Sequence, residues 1–161
     1  MAARFVSTEA AHCLALASSM RAADLQECEA SGQPDALRAV VSACLVSPWR
    51  WTLMIDHRVA AIAGVTHELE PGKHSLWMLT STVVDHRKVS FYRETRLLLL
   101  LLNQEFECLA NMVDARNTAS IEWLQRLGVE LGPSVPHGPY NMAFRPFALL
   151  KGALACASPS P

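Results

Sequence analysis

The sequence predicts one α/β domain with a mixed, mostly antiparallel central sheet flanked by helices on both faces. Three observations predict it. The opening third carries helical spacing of apolar residues. From Trp49 to Thr80 three apolar, partly β-branched or aromatic runs are parted by turn signals, and beyond Thr80 helical and strand patterns alternate. At 161 residues and 51% hydrophobic, the chain is long enough to bury one core without disulfide staples. The domain is expected over residues 1–152, with residues 153–161, ending in "SPSP", as a flexible tail.

Taken in order, "RFV" suits a short first strand, and Ser7 or Thr8 offers a cap for the Ala-rich helix behind it. A second helix, "AADLQECEAS", stops at Gly32. Pro34 sits just inside the start of a third, whose Leu37, Val40, Val41, Cys44 and Leu45 fall on one face. "WRWTLMI" and "VAAIAGV" flank "DHR" as a hairpin, and "ELEPGKH" turns the chain into "SLWMLT". Residues 85 to 107 read as one long helix with a Leu97–Leu102 run in the middle. Leu97, Leu98, Leu100, Leu101, Ile121 and Leu127 are expected in the core, so that Leu101→Asp would be severely destabilising. "CLANMV" returns as a strand, "NTASIEWLQRLG" is a capped helix with a glycine stop, and "VELGPSV" with "YNMAFRPF" closes the sheet.

Composition excludes several classes. Fourteen basic against fifteen acidic residues leave a net charge of -1, with no global field for nucleic acid or an anionic membrane. The Leu run spans only about 9 Å as helix, against about 30 Å of bilayer core, so no membrane span is expected. No secretory leader is read at the N-terminus. The five cysteines lack a CxxC pair and the six histidines lack i,i+4 spacing. Reduced thiols and no metal site are therefore expected. Neither GxSxG nor a Walker loop occurs.

The order of elements resembles the GNAT superfamily of N-acetyltransferases. "VDARNTASIEWLQRLGV" resembles that superfamily's last conserved block, with Asn117, Ala119 or Ser120, Trp123, Leu124, Arg126, Gly128 and Val129 at its positions. A closer resemblance is to small GNAT-like proteins of short-tailed bacteriophages, the family that includes internal virion protein A. "MRAADLQECEASG", "WMLT", "VDARNTASIEWLQRLG" and "HGPYNMAFRPF" carry it, and they cover most of residues 20 to 147. The resemblance implies a virion or assembly component acting through other phage virion proteins or self-association, found in the virion or the host cytoplasm. Its alternative is an acetyl-CoA-dependent N-acetyltransferase acting on a host or phage amine.

Two departures from the superfamily pattern favour the non-enzymatic reading. Its Gly-rich phosphate turn is replaced by "RKVSFY", where Tyr92 stands in place of a small residue, and its proton-donating Tyr is replaced by Leu124. No cofactor is therefore expected, and purified protein is expected not to bind acetyl-CoA; under the alternative, acetyl-CoA would be the cofactor. The site residues that the resemblance offers are Leu79, Arg87 and Asn117 toward a coenzyme, and Glu68 as a weak candidate base. Each has a structural reading beside the chemical one: Asn117 as a helix N-cap, Glu68 and His67 as solvated charge at a hairpin end, Asp85 and His86 as helix-start residues. Asp114, Arg116 and Asn117 form a polar cluster at a strand's C-terminal end, suited equally to a ligand and to a structural ion pair.

Overall fold

The computed structural model describes residues 3–156. In chain order the elements are β1 (Ala3–Ser7), α1 (Ala10–Ser18), α2 (Ala22–Ala30), α3 (Ala36–Leu45), β2 (Trp49–Ile55), β3 (Arg58–Glu70), β4 (Lys73–Thr80), α4 (Val83–His86), α5 (Lys88–Glu105), β5 (Cys108–Asp114), α6 (Thr118–Arg126), β6 (Val135–His137) and β7 (Met142–Leu150). The seven strands form one sheet in the order β1-β2-β3-β4-β5-β7-β6. Every pairing is antiparallel except β4 with β5.

Period-two alternation along β4 sorts its side chains into the two layers. Trp77 and Leu79 pack with Cys13, Leu16, Val40 and Cys44 of α1 and α3, whereas Leu76 joins the opposite core of Leu99, Leu102, Leu124 and Phe147. The β2–β3 turn works because Asp56 and His57 both adopt positive φ, 49° and 62°, the conformation a tight two-residue hairpin demands. Trp77 lies flat over Gly64, where a Cβ would meet the indole at 2.6 Å, and its Nε1 donates to Ser47 Oγ at 2.7 Å. The absence of a side chain at Gly64 is what lets the indole reach that hydroxyl.

Several expectations from the sequence are corrected. The long helix is broken at Arg87, which leaves helical geometry at φ -132°, ψ 35°. Val83 and Val84 are buried in the short α4, while Arg87 turns outward to Asp56 on the β2–β3 turn. Leu97 and Leu101 are exposed, at 55% and 58%. The reason is geometric: six consecutive leucines at about 100° apiece wrap the whole helix, and only the strip through Phe91, Thr95, Leu99, Leu102 and Asn103 faces the sheet. Leu101→Asp is accordingly expected to change stability by no more than about 0.5 kcal/mol in a denaturant melt. A loss of several kcal/mol would show that this face is covered. On α3, Val40 and Cys44 are buried as expected, but Leu45 is 80% exposed and Leu37 and Val41 lie at the boundary. Pro34 precedes the true cap, Asp35, whose Oδ1 accepts from Arg38 N at 2.7 Å.

The closing pair is shorter than expected, since β6 has only three residues. The segment before it is held by Arg145, which donates to the carbonyls of Leu131 and Gly132. The tail expected from residue 153 starts as a 3-10 turn, Ala153–Cys156, with Leu154 7% exposed. Asn103 anchors it. Its Nδ2 donates to the Leu150 carbonyl, its Oδ1 accepts from Leu154 N, and its carbonyl accepts from Gly152 N. The rest of that expected tail, residues 157–161, lies outside the described residues.

Candidate functional site

The site follows from one pairing that stops early. β4 and β5 pair in parallel only over Lys73–Ser75 and Cys108–Ala110, then part. Each stays hydrogen bonded on its far edge, β4 to β3 as far as Thr80 and β5 to β7 as far as Asp114, so the sheet forks without unravelling. Asn111 pins the apex. Its Nδ2 donates to the Leu76 carbonyl at 2.8 Å and its Oδ1 accepts from Met112 N at 2.7 Å, filling both edges of the opening gap.

At the wide end α2 crosses the gap. Asp24 and Glu27 are three residues apart and therefore share one helix face. Asp24 Oδ2 accepts from Thr80 N at 2.8 Å and also from the Thr80 hydroxyl, and Asp24 Oδ1 accepts from Asn117 Nδ2 at 3.3 Å. Glu27 Oε2 accepts from Asp114 N at 3.2 Å and from Asn117 Nδ2 at 3.0 Å. Arg21 N donates to the Thr80 carbonyl. The two prongs, Thr80 on β4 and Asp114 on β5, are thus tied by carboxylates of one helix.

Between apex and tie lies a cavity of about 590 Å³ under α5 and α6. Leu76, Met78 and Thr80 must direct their main-chain groups into the fork, because alternate residues of an antiparallel strand point away from the partner. The Leu76 carbonyl and both Thr80 groups are filled as described; the N–H and C=O of Met78 meet no group from the described residues. Leu124 and Trp123 of α6, with Lys88 and Tyr92 of α5, line the cavity. Tyr92 Oη donates to the Arg126 carbonyl at 3.0 Å, and Trp123 Nε1 donates to Thr95 Oγ1 at 3.1 Å, so both bonds join α5 to α6.

The residues singled out from sequence divide. Leu79 lines the cavity, but its side chain packs toward α1 and α3. Asn117 is the N-cap of α6, its Oδ1 accepting from Ser120 N at 3.3 Å, while its amide serves the two α2 carboxylates. Arg87 is directed away from the cavity, its Nε on Asp56 Oδ2 at 2.8 Å; its neighbour Lys88 lines the cavity, as do Arg21, Arg93 and Arg126. Glu68 does not line the cavity: it sits at the hairpin end, its Oε1 accepting from Gly72 N. The Asp114–Arg116 pair is real, at 2.6 Å, with Asp114 buried. Asp24 and Glu27 were missed. Their i,i+3 spacing in "AADLQECEA" is also that of an ordinary solvated helix face, so only the fold marks them.

Electrostatics separates these carboxyls. Burial pushes Glu27 up to about 7, against hydrogen bonds from Asn117 and Asp114 that lower it, and the nearby Asp24 and Asp114 add repulsion. Burial likewise raises Asp24 despite its bonds from Thr80 and the charge of Arg21. Asp114 also loses hydration, but Arg116's hydrogen bonds and charge hold it below the usual carboxylate range. For Glu27 the unfolded chain releases its proton near 4.5 and the folded chain near 7, so between those values the folded state binds more protons. Stability from this group is greatest below about 4.5 and falls as pH rises to about 7. Glu27→Gln is expected to flatten that slope and to be the more stable protein at pH 8, by on the order of 2 kcal/mol after allowance for partial exposure. Denaturant melts of both proteins from pH 5 to 8 check this; parallel curves would contradict it.

Among the described residues no cluster of His, Cys, Asp and Glu suits a metal, and no helix is long and apolar enough to cross a membrane. Cys13 and Cys44 lie with their sulfurs 3.9 Å apart as free thiols.

A central fork between parallel strands, roofed by two helices, is the GNAT acetyltransferase fold, and comparison with solved structures bears this out. A putative acetyltransferase is similar over 95% of this chain and 87% of its own, with 22% identity and a TM-score of 0.69. AAC(6')-Ib, solved with ribostamycin and coenzyme A, is similar over 99% and 100% of the two chains, with 14% identity and a TM-score of 0.69. The Escherichia coli ribosomal-protein-S18-alanine N-acetyltransferase is similar over 93% and 94%, with 14% identity and a TM-score of 0.64. No family profile and no curated protein matches the chain. At these identities the likeness establishes the fold.

Proposed function

We propose that this protein is an acetyl-CoA-dependent N-acetyltransferase, and the observation that carries this reading is the free Met78 main chain in the fork. A thioester arm laid along β4 finds there an N–H for its carbonyl oxygen and a C=O for an amide N–H, which are the groups a missing strand would use. A developing oxyanion at the same N–H is stabilised by a donor already in place. The thioester is the coenzyme's contribution; this chain orients it, lines its path with Leu124 and Trp123, and supplies polar groups from α2. The likeness to AAC(6')-Ib, solved with coenzyme A, supports the cofactor class.

Of the two departures that argue against a cofactor, the first reads differently in the folded chain and the second stands. The residues of "RKVSFY" do not form a turn: they open α5, whose first N–H groups, on Lys88, Val89 and Ser90, lack helical acceptors, beside the Lys88 ammonium. Tyr92 is hydrogen bonded to the α6 carbonyl of Arg126 and joins the two helices over the cavity. Leu124 still has no proton to give, so the thiolate leaving group takes its proton from solvent.

Titration calorimetry with acetyl-CoA at pH 7.5 tests the reading. Saturable binding in the micromolar range is expected, weakened about tenfold by Lys88→Ala, the value of one charge-assisted phosphate contact. Absence of saturable heat overturns it and favours the second reading, a virion or assembly component acting through protein contacts. That second reading draws on the resemblance in sequence to short-tailed phage proteins and on the exposed apolar side chains of Leu97 and Leu101, one turn apart on α5. Copy number in purified particles distinguishes it.

A further inference from the structure

The two α2 carboxylates are used unequally. Asp24 commits both oxygens, one to the Thr80 N–H and hydroxyl and the other to the Asn117 amide. Glu27 receives both of its hydrogen bonds on Oε2, and among the described residues no donor meets Oε1. Glu27 lines the fork cavity, as Met78 does from β4. Asn117 and the Asp114 N–H hold the Glu27 carboxyl in one orientation, so the free oxygen has a fixed place. Resting on the N-acetyltransferase reading above, we infer that Glu27 is the proton acceptor of the transfer, a catalytic residue that takes a proton through Oε1 from an aliphatic amine arriving as an ammonium ion.

The step balances without another reagent. The ammonium gives one proton to Glu27 Oε1, and the freed nitrogen lone pair attacks the thioester carbonyl carbon. The C–N bond forms, the C–S bond breaks, and the thiolate leaves and is protonated by water. The nitrogen's remaining excess proton passes to solvent. Every charged group around Glu27 suits a base working near neutrality. Asp24 from its own helix and Asp114 from β5 repel its charge, Arg21 stands beside Asp24, and Arg116 is engaged by Asp114; the neighbouring Cys28 thiol, pushed up to about 12, stays neutral. A carboxyl near 7 has both a useful ionised fraction and enough basicity to accept the proton. The sheet supplies the rigid placement that such transfer needs, since each end of the tie is a strand terminus.

Glu27→Gln is the test, because the amide keeps an oxygen for both donors and removes only the basic site. Three quantities are measured for both proteins: acetyl-CoA binding by calorimetry, transfer to spermidine and to a peptide with a free N-terminal alanine, and release of coenzyme thiol to water alone. The expected result is unchanged binding, with transfer and hydrolysis slowed about 100-fold or more at pH 7 and the rise in rate near pH 7 abolished. Equal rates and the same pH profile in both proteins overturn the role of Glu27 while leaving the acetyltransferase reading standing. Binding by the wild type with neither transfer nor hydrolysis above the solution background overturns it as well. Failure of the wild type to bind acetyl-CoA sinks the acetyltransferase reading itself, and the inference falls with it.

Discussion

Asn117→Asp is expected to unfold the protein more readily at pH 7 than Asn117→Ala, although Asp is as good an N-cap as Asn. The capping oxygen survives the change and still accepts from Ser120 N. What is lost is the amide that donates to Asp24 Oδ1 and Glu27 Oε2. A third carboxylate then faces two others in a site where Asn117 is 4% exposed and Asp24 is 5% exposed. Leaving buried charge uncompensated costs on the order of 3–5 kcal/mol, against about 1 kcal/mol for a lost cap. From sequence alone, where only the cap is visible, Asn117→Asp is expected to preserve stability; the amide's second use reverses that. The sign with pH is set by the carboxyls: as pH falls from 8 to 5, Glu27 takes up its proton, the repulsion is relieved, and the deficit shrinks. Urea melts at pH 8 and pH 5 measure it. A variant as stable as wild type at pH 8 would mean that the α2 carboxylates do not face Asn117 in solution.

Phe144→Ala should cost about 3–5 kcal/mol, the range for removing a fully buried ring. Phe144 is 1% exposed in β7, opposite Asp114 on β5 and Val135 on β6, and the His137 ring meets its edge at 4.9 Å between centroids. It fills the layer beneath the β5 prong, so its loss leaves a void where the fork is braced. Thermal and urea unfolding should agree on the loss. A change under 1 kcal/mol would show that β6 and β7 collapse to fill the space.

Much of the fold was legible because burial imposes a period. The meander from Trp49 to Thr80 announces itself by three apolar runs parted by turn signals, Pro71-Gly72 among them, and α6 by its spacing, the Asn117 cap and the Gly128 stop, where φ is 86°. The Leu run is legible as helix but not as orientation: when every position is apolar, the pattern carries no phase to show that Leu97 and Leu101 face outward. The site was harder still. Asp114, Arg116 and Asn117 are consecutive enough to be seen as a cluster, but their partners on α2 lie some 90 residues away and are joined only by the crossing of α2 over the fork. Arg87 and Lys88 are neighbours in sequence with identical charge, and a helix start between them points one at Asp56 and the other at the cavity.

Asn103 gives the far end of α5 a property of its own. Its side chain and carbonyl seal Leu150, Gly152 and Leu154 against the helix, so the last turn of α5 and the chain from Leu150 to Leu154 form one cooperative unit. In amide hydrogen exchange the Leu154 and Gly152 protons should slow together with those of the α5 end. A chain shortened to residue 151 would leave the Asn103 carboxamide oxygen without its donor and open the core beside Leu102 to water. Affinity tags and fusions are therefore best carried beyond residue 156, where they leave this seal closed.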